Sequence, residues 1–190
     1  MNFASYFRPA SLAELYRLLE HENGDPLFLA GGTDILVQER AQGKYSGRAV
    51  YDLTALLELK SIRQVENMLV IGSCATHGAV AASPLVRQFA GPLAAACGSV
   101  GAEQLRNRAT LGGNIANASP AGDSLGPLAA LDAIVCLDFL GTLRWVPITE
   151  LIHRPGHLCL REKEFIREIR IPQLTDDTQL LILLNPNNPM

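Results

Sequence analysis

Apolar residues near the start of the chain repeat at the spacing of a helix and then give way to short apolar runs. The repeating residues are Leu12, Leu15, Leu18 and Leu19. Ser11 and Glu14 form a capping box at the beginning of this stretch, so a helix is predicted from about residue 11 to residue 20. The apolar runs at residues 27–29 and 50–53 predict strands. These elements indicate a small βαβ-like lobe.

A second, larger lobe is predicted to begin near Ile62 and to mix strands with helices. Its predicted strands are residues 68–72, 133–137, 143–146 and 168–171, the middle two forming a hairpin around Gly141. Its predicted helical stretches are residues 76–82, 92–100 and 125–131. The expected fold class is therefore α+β, with an N-terminal lobe over residues 1–60 and a second lobe, containing an antiparallel sheet, over residues 61–174.

Two glycine-rich segments interrupt this pattern. In the first, residues 30–34 (Ala-Gly-Gly-Thr-Asp) form a turn between the strand at residues 27–29 and a further apolar run at residues 35–37. Glycine has no Cβ, so it accepts positive φ and lets backbone N–H groups converge on an anion. A turn at a strand end also allows a helix N-terminus to face that anion.

The second segment spans residues 110–123 and combines two adjacent glycines with five polar side chains, without Lys or Arg. These side chains are Thr110, Asn114, Asn117, Ser119 and Asp123. We expect the segment to be a polar loop that cradles a ligand. A hydrogen bond to a charged group contributes roughly 1.5 to 3 kcal/mol, so a few N–H donors could hold a pyrophosphate without a cation. Two such turns indicate a ligand with two phosphates.

Other interpretations of these glycines are open at this point. A Gly-Gly pair is most often a surface turn, and Arg106 and Arg108 beside the second segment either neutralise phosphate or are simply solvated. The first turn has neither the spacing nor the lysine of a Walker motif, and the GxGxxG fingerprint of dinucleotide-binding folds is absent from the sequence. The residues therefore argue against both of these nucleotide-binding motifs.

Three segments resemble one known family. They are residues 3–9 (Phe-Ala-Ser-Tyr-Phe-Arg-Pro), residues 29–34 (Leu-Ala-Gly-Gly-Thr-Asp) and residues 106–115 (Arg-Asn-Arg-Ala-Thr-Leu-Gly-Gly-Asn-Ile). They look like the FAD-binding medium subunit of molybdenum hydroxylases, the group of xanthine dehydrogenase, carbon monoxide dehydrogenase and aldehyde oxidoreductase. The resemblance covers roughly residues 3–172 and is nearest to the xanthine dehydrogenase type.

The resemblance implies a two-lobed FAD-binding domain of the PCMH/vanillyl-alcohol-oxidase type, acting in electron transfer. In this family a molybdopterin-binding large subunit hydroxylates the substrate and an iron–sulfur subunit relays the electrons. FAD in the medium subunit then passes them to NAD or another acceptor. The protein's task is to position and tune the cofactor, so no catalytic acid or base and no metal ligand is expected in this chain.

Carried over residue by residue, the resemblance implies a set of FAD-binding positions. The first turn and its strand would enclose the pyrophosphate through Leu27, Phe28, Leu29, Ala30, Gly31, Gly32, Thr33 and Asp34. The second segment would do so from the other lobe through Ala109, Thr110, Leu111, Gly112 and Gly113. The polar chain or the phosphates of FAD would form hydrogen bonds with Asn114, Asn117, Ser119 and Asp123. The flavin ring system would contact Gly101, Leu105, Phe165 and Ile166.

Composition excludes several other classes. The 190 residues carry a net charge of −3, which gives no basic field for nucleic acid. No apolar run approaches the roughly 20 residues that span a bilayer, and residues 1–9 do not resemble a signal peptide. A cytoplasmic protein without membrane or nucleic-acid partners is expected.

Neither the cysteines nor the histidines form a recognisable metal motif. The four cysteines lie more than twenty residues apart, so we expect at least three to be reduced and buried. His153 and His157 are separated by Pro155 and Gly156, which prevent the helix that would pair them on zinc. His77 is interpreted as a surface or capping residue.

The last residues depart from the family pattern. Residues 175–190 match none of the segment that follows in relatives, and the family's C-terminal domain of about a hundred residues is expected to be absent. The apolar run at residues 180–184 would then pack on a partner or promote aggregation. Two rival functions stay open, a flavin-fold scaffold without FAD and a stand-alone flavin oxidoreductase of the same wider fold.

Overall fold

The computed structural model describes residues 2–173, which form two main β-sheets with helices around them. The strands are β1 (Ser5–Phe7), β2 (Leu27–Leu29), β3 (Ala49–Asp52), β4 (Ile62–Val65), β5 (Met68–Gly72), β6 (Ile134–Phe139), β7 (Thr142–Pro147), β8 (Ile152–Arg154), β9 (His157–Leu158) and β10 (Phe165–Pro172). The α-helices are α1 (Leu12–Glu20), α2 (Ile35–Gln42), α3 (His77–Ala82), α4 (Pro84–Phe89), α5 (Gly91–Ser99), α6 (Glu103–Arg106), α7 (Leu111–Asn117), α8 (Leu125–Ala130) and α9 (Ile148–Leu151). Short 3₁₀ helices occupy Leu53–Ala55 and Leu57–Lys60.

The first sheet is parallel, with the strand order β1-β3-β2. Helix α1 lies between β1 and β2 in the sequence and buries Leu15 and Leu19 in one cluster with Tyr51 of β3. The Oγ atom of Ser11 accepts a hydrogen bond from the N–H of Glu14 at 3.2 Å, which caps the helix. The helix predicted at this position is confirmed.

The second sheet is antiparallel, with the order β4-β5-β10-β6-β7. One face carries buried side chains such as Ile71, Val135 and Ile169, which share a core with apolar residues of α3, α4, α5, α7 and α8. The β6–β7 hairpin turns through Gly141 at a φ of 88°, a conformation that favours glycine. The predicted hairpin, the last strand and the α+β fold class are confirmed.

A buried carboxylate joins the two sheets. Asp138 of β6 is fully buried and accepts hydrogen bonds from the Tyr16 hydroxyl at 2.6 Å and from Arg167 of β10 at 2.8 Å. The N–H of Gly141 donates to its second oxygen at 2.9 Å. Because Tyr16 belongs to α1, the helix on the first sheet is tied to two strands of the second.

The first half of the segment predicted as a second glycine-rich loop is helical, over residues 111–117. Helix α7 contains Gly112 and Gly113 and buries Leu111 and Ile115 completely. Glycine disfavours a helix by about 1 kcal/mol, but two buried apolar side chains and the Thr110 cap offset this cost. The prediction of a loop was wrong here. The apolar run at residues 35–37 begins α2, for which no bounds were predicted.

All four cysteines are free, and Cys74, Cys97 and Cys136 are buried, which agrees with the prediction. Burial raises the pKa of the Cys74 thiol to about 11 and that of Cys97 to about 12, so both stay protonated at neutral pH. The apolar run predicted at residues 180–184, like the rest of the divergent tail, lies outside the described residues.

Over residues 2–173 no helix is both long and apolar enough to cross a bilayer. The same residues contain no cluster of three or more His, Cys, Asp or Glu side chains arranged to hold a metal ion. His153 and His157 lie on the short strands β8 and β9, which pair antiparallel.

Candidate functional site

A cleft of about 460 Å³ lies where the turn after β2 meets helix α7. The turn and the start of α2 form one wall, residues 109–117 contribute to the opposite wall, and the first residues of β10 line the cleft between them. Both glycine-rich segments therefore face one cavity, although 77 residues separate Gly31 from Arg108 in the sequence.

The turn after β2 presents a row of backbone donors. Within residues 2–173, the N–H groups of residues 31–35 donate no hydrogen bond, and helical bonding starts with the N–H of Leu36, which donates to Gly32 O at 3.2 Å. Gly32 has a φ of 73°, which turns the chain into the helix and favours glycine. Consecutive free N–H groups at a helix N-terminus bind anions, because the helix dipole adds to their partial charge.

Gly31 brings the two walls into direct contact. A Cβ at this position would overlap the carbonyl oxygen of Arg108 and lie 2.9 Å from the Cα atom of Ala109. The Arg108 guanidinium also reaches the carbonyl oxygen of Gly31, at 3.5 Å. This glycine therefore sets the distance between the walls, a role that the sequence does not reveal.

Helix α7 does not supply the backbone donors that its glycines predicted. The N–H of Leu111 donates to Ala75 O, that of Gly112 to Ser73 O and that of Asn114 to Thr110 O, each at 2.9 to 3.0 Å. The N–H of Gly113 donates to the Thr110 hydroxyl at 3.1 Å. The expectation of a second N–H cradle is corrected, since these donors are already satisfied by the protein.

Gly112 serves packing rather than ligand access. A Cβ at Gly112 would lie 2.6 Å from the Cβ of Ser73 and 2.7 Å from its carbonyl oxygen. The absence of this Cβ lets α7 approach the turn that follows β5. Gly112 still lines the cleft, but its close approach is made to the protein itself.

Most of the residues predicted to bind FAD share this cleft. Those that line it are Leu27, Phe28, Ala30, Gly31, Gly32, Thr33, Asp34, Leu105, Ala109, Thr110, Gly112, Gly113, Asn114, Asn117, Phe165 and Ile166. Those outside its lining are Leu29, Gly101, Leu111, Ser119 and Asp123. Leu111 is fully buried in the core, and the Ser119 hydroxyl accepts the N–H of Ala121 at 3.2 Å within its own turn.

Several cleft residues were not predicted. Lys44, Tyr45 and Arg48, which we call the cationic rim, lie in the loop after α2 and line the cleft. The Lys44 Nζ and Arg48 Cζ atoms lie 5.3 and 5.7 Å from the centre of the Tyr45 ring. Their position favours an anionic or aromatic ligand. No sequence motif links these three residues to the cleft, because they follow the Gly31–Gly32 pair by more than ten residues.

His77, interpreted from the sequence as a surface or capping residue, is instead buried in the cleft lining. Its side chain is almost inaccessible, and Nδ1 lies 3.3 Å from the Sγ atom of Cys97. Burial lowers the pKa of His77, so the ring is neutral at neutral pH. Because the Cys97 thiol is protonated and sulfur is a weak acceptor, the pair is best described as S–H donating to Nδ1.

One end of the cleft is apolar and aromatic. The rings of Phe28 and Phe165 lie 5.3 Å apart between centres and are tilted by 43°, and Leu160 and Ile166 line the same cavity. Glu164 beside them is neutralised by Arg144, whose Nη2 atom lies 2.6 Å from Glu164 Oε2. The cleft thus combines a row of free N–H donors with an apolar surface that suits a planar ring.

This architecture is an α+β domain in which a glycine turn at a helix N-terminus faces a capped helix across one cleft, an arrangement typical of domains that bind a nucleotide cofactor. The sequence matches the family described as FAD binding domain in molybdopterin dehydrogenase over residues 1–174. The chain belongs to that family, and its cofactor is FAD.

Individual relatives agree with this family. The chain is 35% identical over 173 residues to a putative xanthine dehydrogenase FAD-binding subunit of Escherichia coli (strain K12), covering 90% of this chain and 58% of the relative. It is 32% identical to the nicotinate dehydrogenase FAD-subunit of Eubacterium barkeri, over 80% of this chain and 51% of that one. The chain therefore spans less than two thirds of the length of these relatives.

A solved structure supports the fold directly. Carbon monoxide dehydrogenase from Hydrogenophaga pseudoflava superposes with a TM-score of 0.85 at 29% identity, over 93% of this chain and 61% of the other. The predicted likeness to the molybdenum hydroxylase medium subunit is confirmed by these relatives.

The residues present fit FAD. The N–H groups of residues 31–35, which have no acceptor within residues 2–173, offer the donors that a diphosphate requires. Lys44 adds a positive charge at the same cavity, whereas the charge of Arg48 is paired with Asp25. The apolar surface of Phe28 and Phe165 suits an isoalloxazine ring. Asn114 and Asn117 also line the cleft, and the Oδ1 atom of Asn114 already accepts a hydrogen bond from the Ser124 hydroxyl at 2.6 Å.

Proposed function

We propose that this chain is the FAD-binding electron-transfer part of a molybdenum hydroxylase of the xanthine dehydrogenase type. An iron–sulfur subunit would deliver electrons, a molybdopterin-binding subunit would oxidise the substrate, and NAD or another acceptor would receive the electrons. The assignment is supported by the relatives, which are FAD-binding subunits and medium chains of dehydrogenases. The predicted cytoplasmic location stays a prediction.

The observation that carries the proposal is the row of N–H groups at residues 31–35, which find no acceptor among residues 2–173 and belong to residues that line the cleft shared with α7. Hydrogen bonds to a charged acceptor each contribute about 1.5 to 3 kcal/mol, so several donors in one row hold a diphosphate firmly. FAD when bound supplies the hydride and electron chemistry, and the protein supplies its position and surroundings.

We assign the cofactor contacts to the residues that line the cleft. The first turn would bind the diphosphate, and the Asn114 and Asn117 side chains would bond the polar chain. Phe28, Phe165 and Ile166 would exclude water from the ring. Leu29, Gly101, Leu111, Ser119 and Asp123 lie outside the lining and are assigned no direct contact.

The two-lobe organisation is also part of the proposal. Strands β1, β2 and β3 all precede Ile62 and form the first sheet, while β4, β5, β6, β7 and β10 form the second. This division supports a boundary near residue 60, with the cleft between the lobes. Asp138 and Gly31 would then be two of several contacts across that boundary, which also include the hydrogen bonds from the Lys163 ammonium to the carbonyl oxygens of Leu19 and Glu22.

The function is tested by titrating the purified apo-chain with FAD, FMN and ADP. We expect FAD to bind and FMN to bind more weakly by at least about tenfold, because FMN has only one phosphate for the donor row. ADP, which carries a diphosphate without a flavin, should compete with FAD. Isothermal titration calorimetry measures all three affinities.

Two outcomes of that titration would contradict the proposal. Binding of FMN as tight as that of FAD would show that the diphosphate is not recognised, and the absence of any flavin binding would favour the scaffold alternative. Coexpression with the neighbouring large and iron–sulfur subunits, followed by size-exclusion chromatography, tests the assembly. Robust oxidation of a small molecule by the isolated chain would support a stand-alone oxidoreductase instead.

A further inference from the structure

The turn after β5 contains a buried hydroxyl without a partner. Ser73 is 4% exposed, and its Oγ atom has no hydrogen-bond partner within residues 2–173. The adjacent Cys74 thiol points to a different acceptor, the carbonyl oxygen of Leu53, at 3.8 Å. An unsatisfied buried hydroxyl costs about 1 to 3 kcal/mol, so native proteins retain one rarely and usually for a reason.

The backbone around Ser73 is fixed from two sides. Its N–H donates to the carbonyl oxygen of Arg167 at 3.0 Å, and its own carbonyl oxygen accepts the N–H of Gly112 at 2.9 Å. Gly112 also leaves space beside the Ser73 Cβ atom, since a Cβ there would lie only 2.6 Å away. The backbone of Ser73 is thus held at one place in the lining of the cleft.

The neighbouring lining residues are neutral and polar as well. Ser73, His77 and Thr110, which we call the polar floor, are each at most 4% exposed and line the same cleft. The His77 ring uses Nδ1 for Cys97, and its Nε2 atom makes no hydrogen bond to residues 2–173. The Thr110 hydroxyl accepts the N–H of Gly113, which leaves its own hydrogen available. A floor of neutral donors suits an oxygen acceptor.

We propose that the Ser73 hydroxyl donates a hydrogen bond to an oxygen atom of bound FAD and is a positioning residue for that cofactor. The inference rests on the proposed function, because it requires FAD in this cleft. The acceptor is either a diphosphate oxygen or an oxygen of the flavin part, and both share the same chemistry. In either case the cofactor satisfies the hydroxyl that the protein leaves unpaired.

The test compares the Ser73→Ala variant with the parent and with Ser99→Ala. The Ser99 hydroxyl is exposed and donates to Ala96 O at 2.8 Å, away from the cleft lining. We expect Ser73→Ala to bind FAD about tenfold more weakly, since a hydrogen bond to the cofactor is lost. The melting temperature of its apo-form should be unchanged or higher, because an unsatisfied polar group has been removed. Ser99→Ala should bind FAD like the parent.

Titrations with ADP and riboflavin identify the acceptor. A loss of ADP affinity in Ser73→Ala indicates a diphosphate oxygen, and a loss of riboflavin affinity indicates the flavin part. Equal FAD affinity in Ser73→Ala and the parent would overturn the inference, as would a lower melting temperature of the apo-variant with unchanged affinity. If Ser73→Ala does not fold, the Ser73→Cys variant replaces it, because a thiol has a similar shape but is a weaker hydrogen-bond donor. Its affinities for FAD, ADP and riboflavin are then compared with those of the parent. A parent that binds no FAD contradicts the proposed function instead.

Discussion

Replacing Gly31 by alanine is expected to weaken FAD binding by about one to two orders of magnitude. The new Cβ would overlap the carbonyl oxygen of Arg108, and a backbone atom cannot rotate away as a side chain does. Overpacking of this kind costs about 1 to 3 kcal/mol. The overlap disappears only if the two cleft walls move apart. Calorimetric titration of FAD into the variant measures the effect.

Gly126→Ala is the matched control for this substitution. Gly126 lies in helix α8, and a Cβ there meets no atom within 4 Å, so the variant should bind FAD like the parent. Circular dichroism and a thermal melt establish that both variants keep their secondary structure. Parent-like FAD affinity in folded Gly31→Ala would refute the idea that this contact sets the spacing of the walls.

Replacing Asp138 by alanine is expected to lower the free energy of unfolding by about 3 kcal/mol, the scale for breaking a buried ion pair. The substitution leaves Arg167 without its carboxylate and removes the acceptor of the Tyr16 hydroxyl and of the Gly141 N–H. This expected loss lies at the low end of the range for buried ion pairs, because the Arg167 side chain is 29% exposed and can be partly hydrated. Urea denaturation monitored by circular dichroism measures it.

The comparison variant is Asp25→Ala. Asp25 also forms an ion pair, with Arg48 at 2.9 Å, but its side chain is 74% exposed. Exposed pairs contribute about 0 to 1 kcal/mol, so this variant should be nearly as stable as the parent. If both substitutions cost the same, the Asp138 network does not hold the two sheets together as described.

Elements with a clear hydrophobic period could be predicted from the sequence. Helix α1 has its leucines at helical spacing and a serine cap, and strands β6, β7 and β10 are short apolar or alternating runs beside turns. Local pattern and tertiary structure agree at these places, because the same side chains that define the period also fill the core.

Helix α7 could not be predicted because its stability comes from outside its own sequence. The Gly112–Gly113 pair argues against a helix locally, while the burial of Leu111 and Ile115 and the contact with Ser73 are long-range features. Long-range contacts also make the Gly31–Gly32 pair differ from the Gly112–Gly113 pair in the N–H groups that each leaves for a ligand. In the part of the chain that the structure describes, the N–H groups of residues 31–35 have no acceptor. The first N–H groups of α7 instead donate to Ala75, Ser73 and Thr110.

Some polar side chains of the cleft could be predicted from the sequence and others could not. Positions next to a glycine motif, such as Thr33 and Asn114, were identified through the family resemblance and line the cleft. Ser73, His77 and the cationic rim carry no local motif, since only the folding of β5, α3 and the loop after α2 brings them to the cavity. For Ser73 and His77 the role also depends on burial, which a sequence does not display.

We propose that the backbone N–H groups of residues 31–35 bind the diphosphate of FAD. Amide hydrogen exchange, followed residue by residue by NMR with and without FAD, tests it most directly. We predict that the amides of residues 31–35 exchange rapidly in the apo-chain and become protected when FAD binds, while those of residues 111–114 are protected in both states. Unchanged exchange at residues 31–35 in the FAD-saturated chain would contradict the claim.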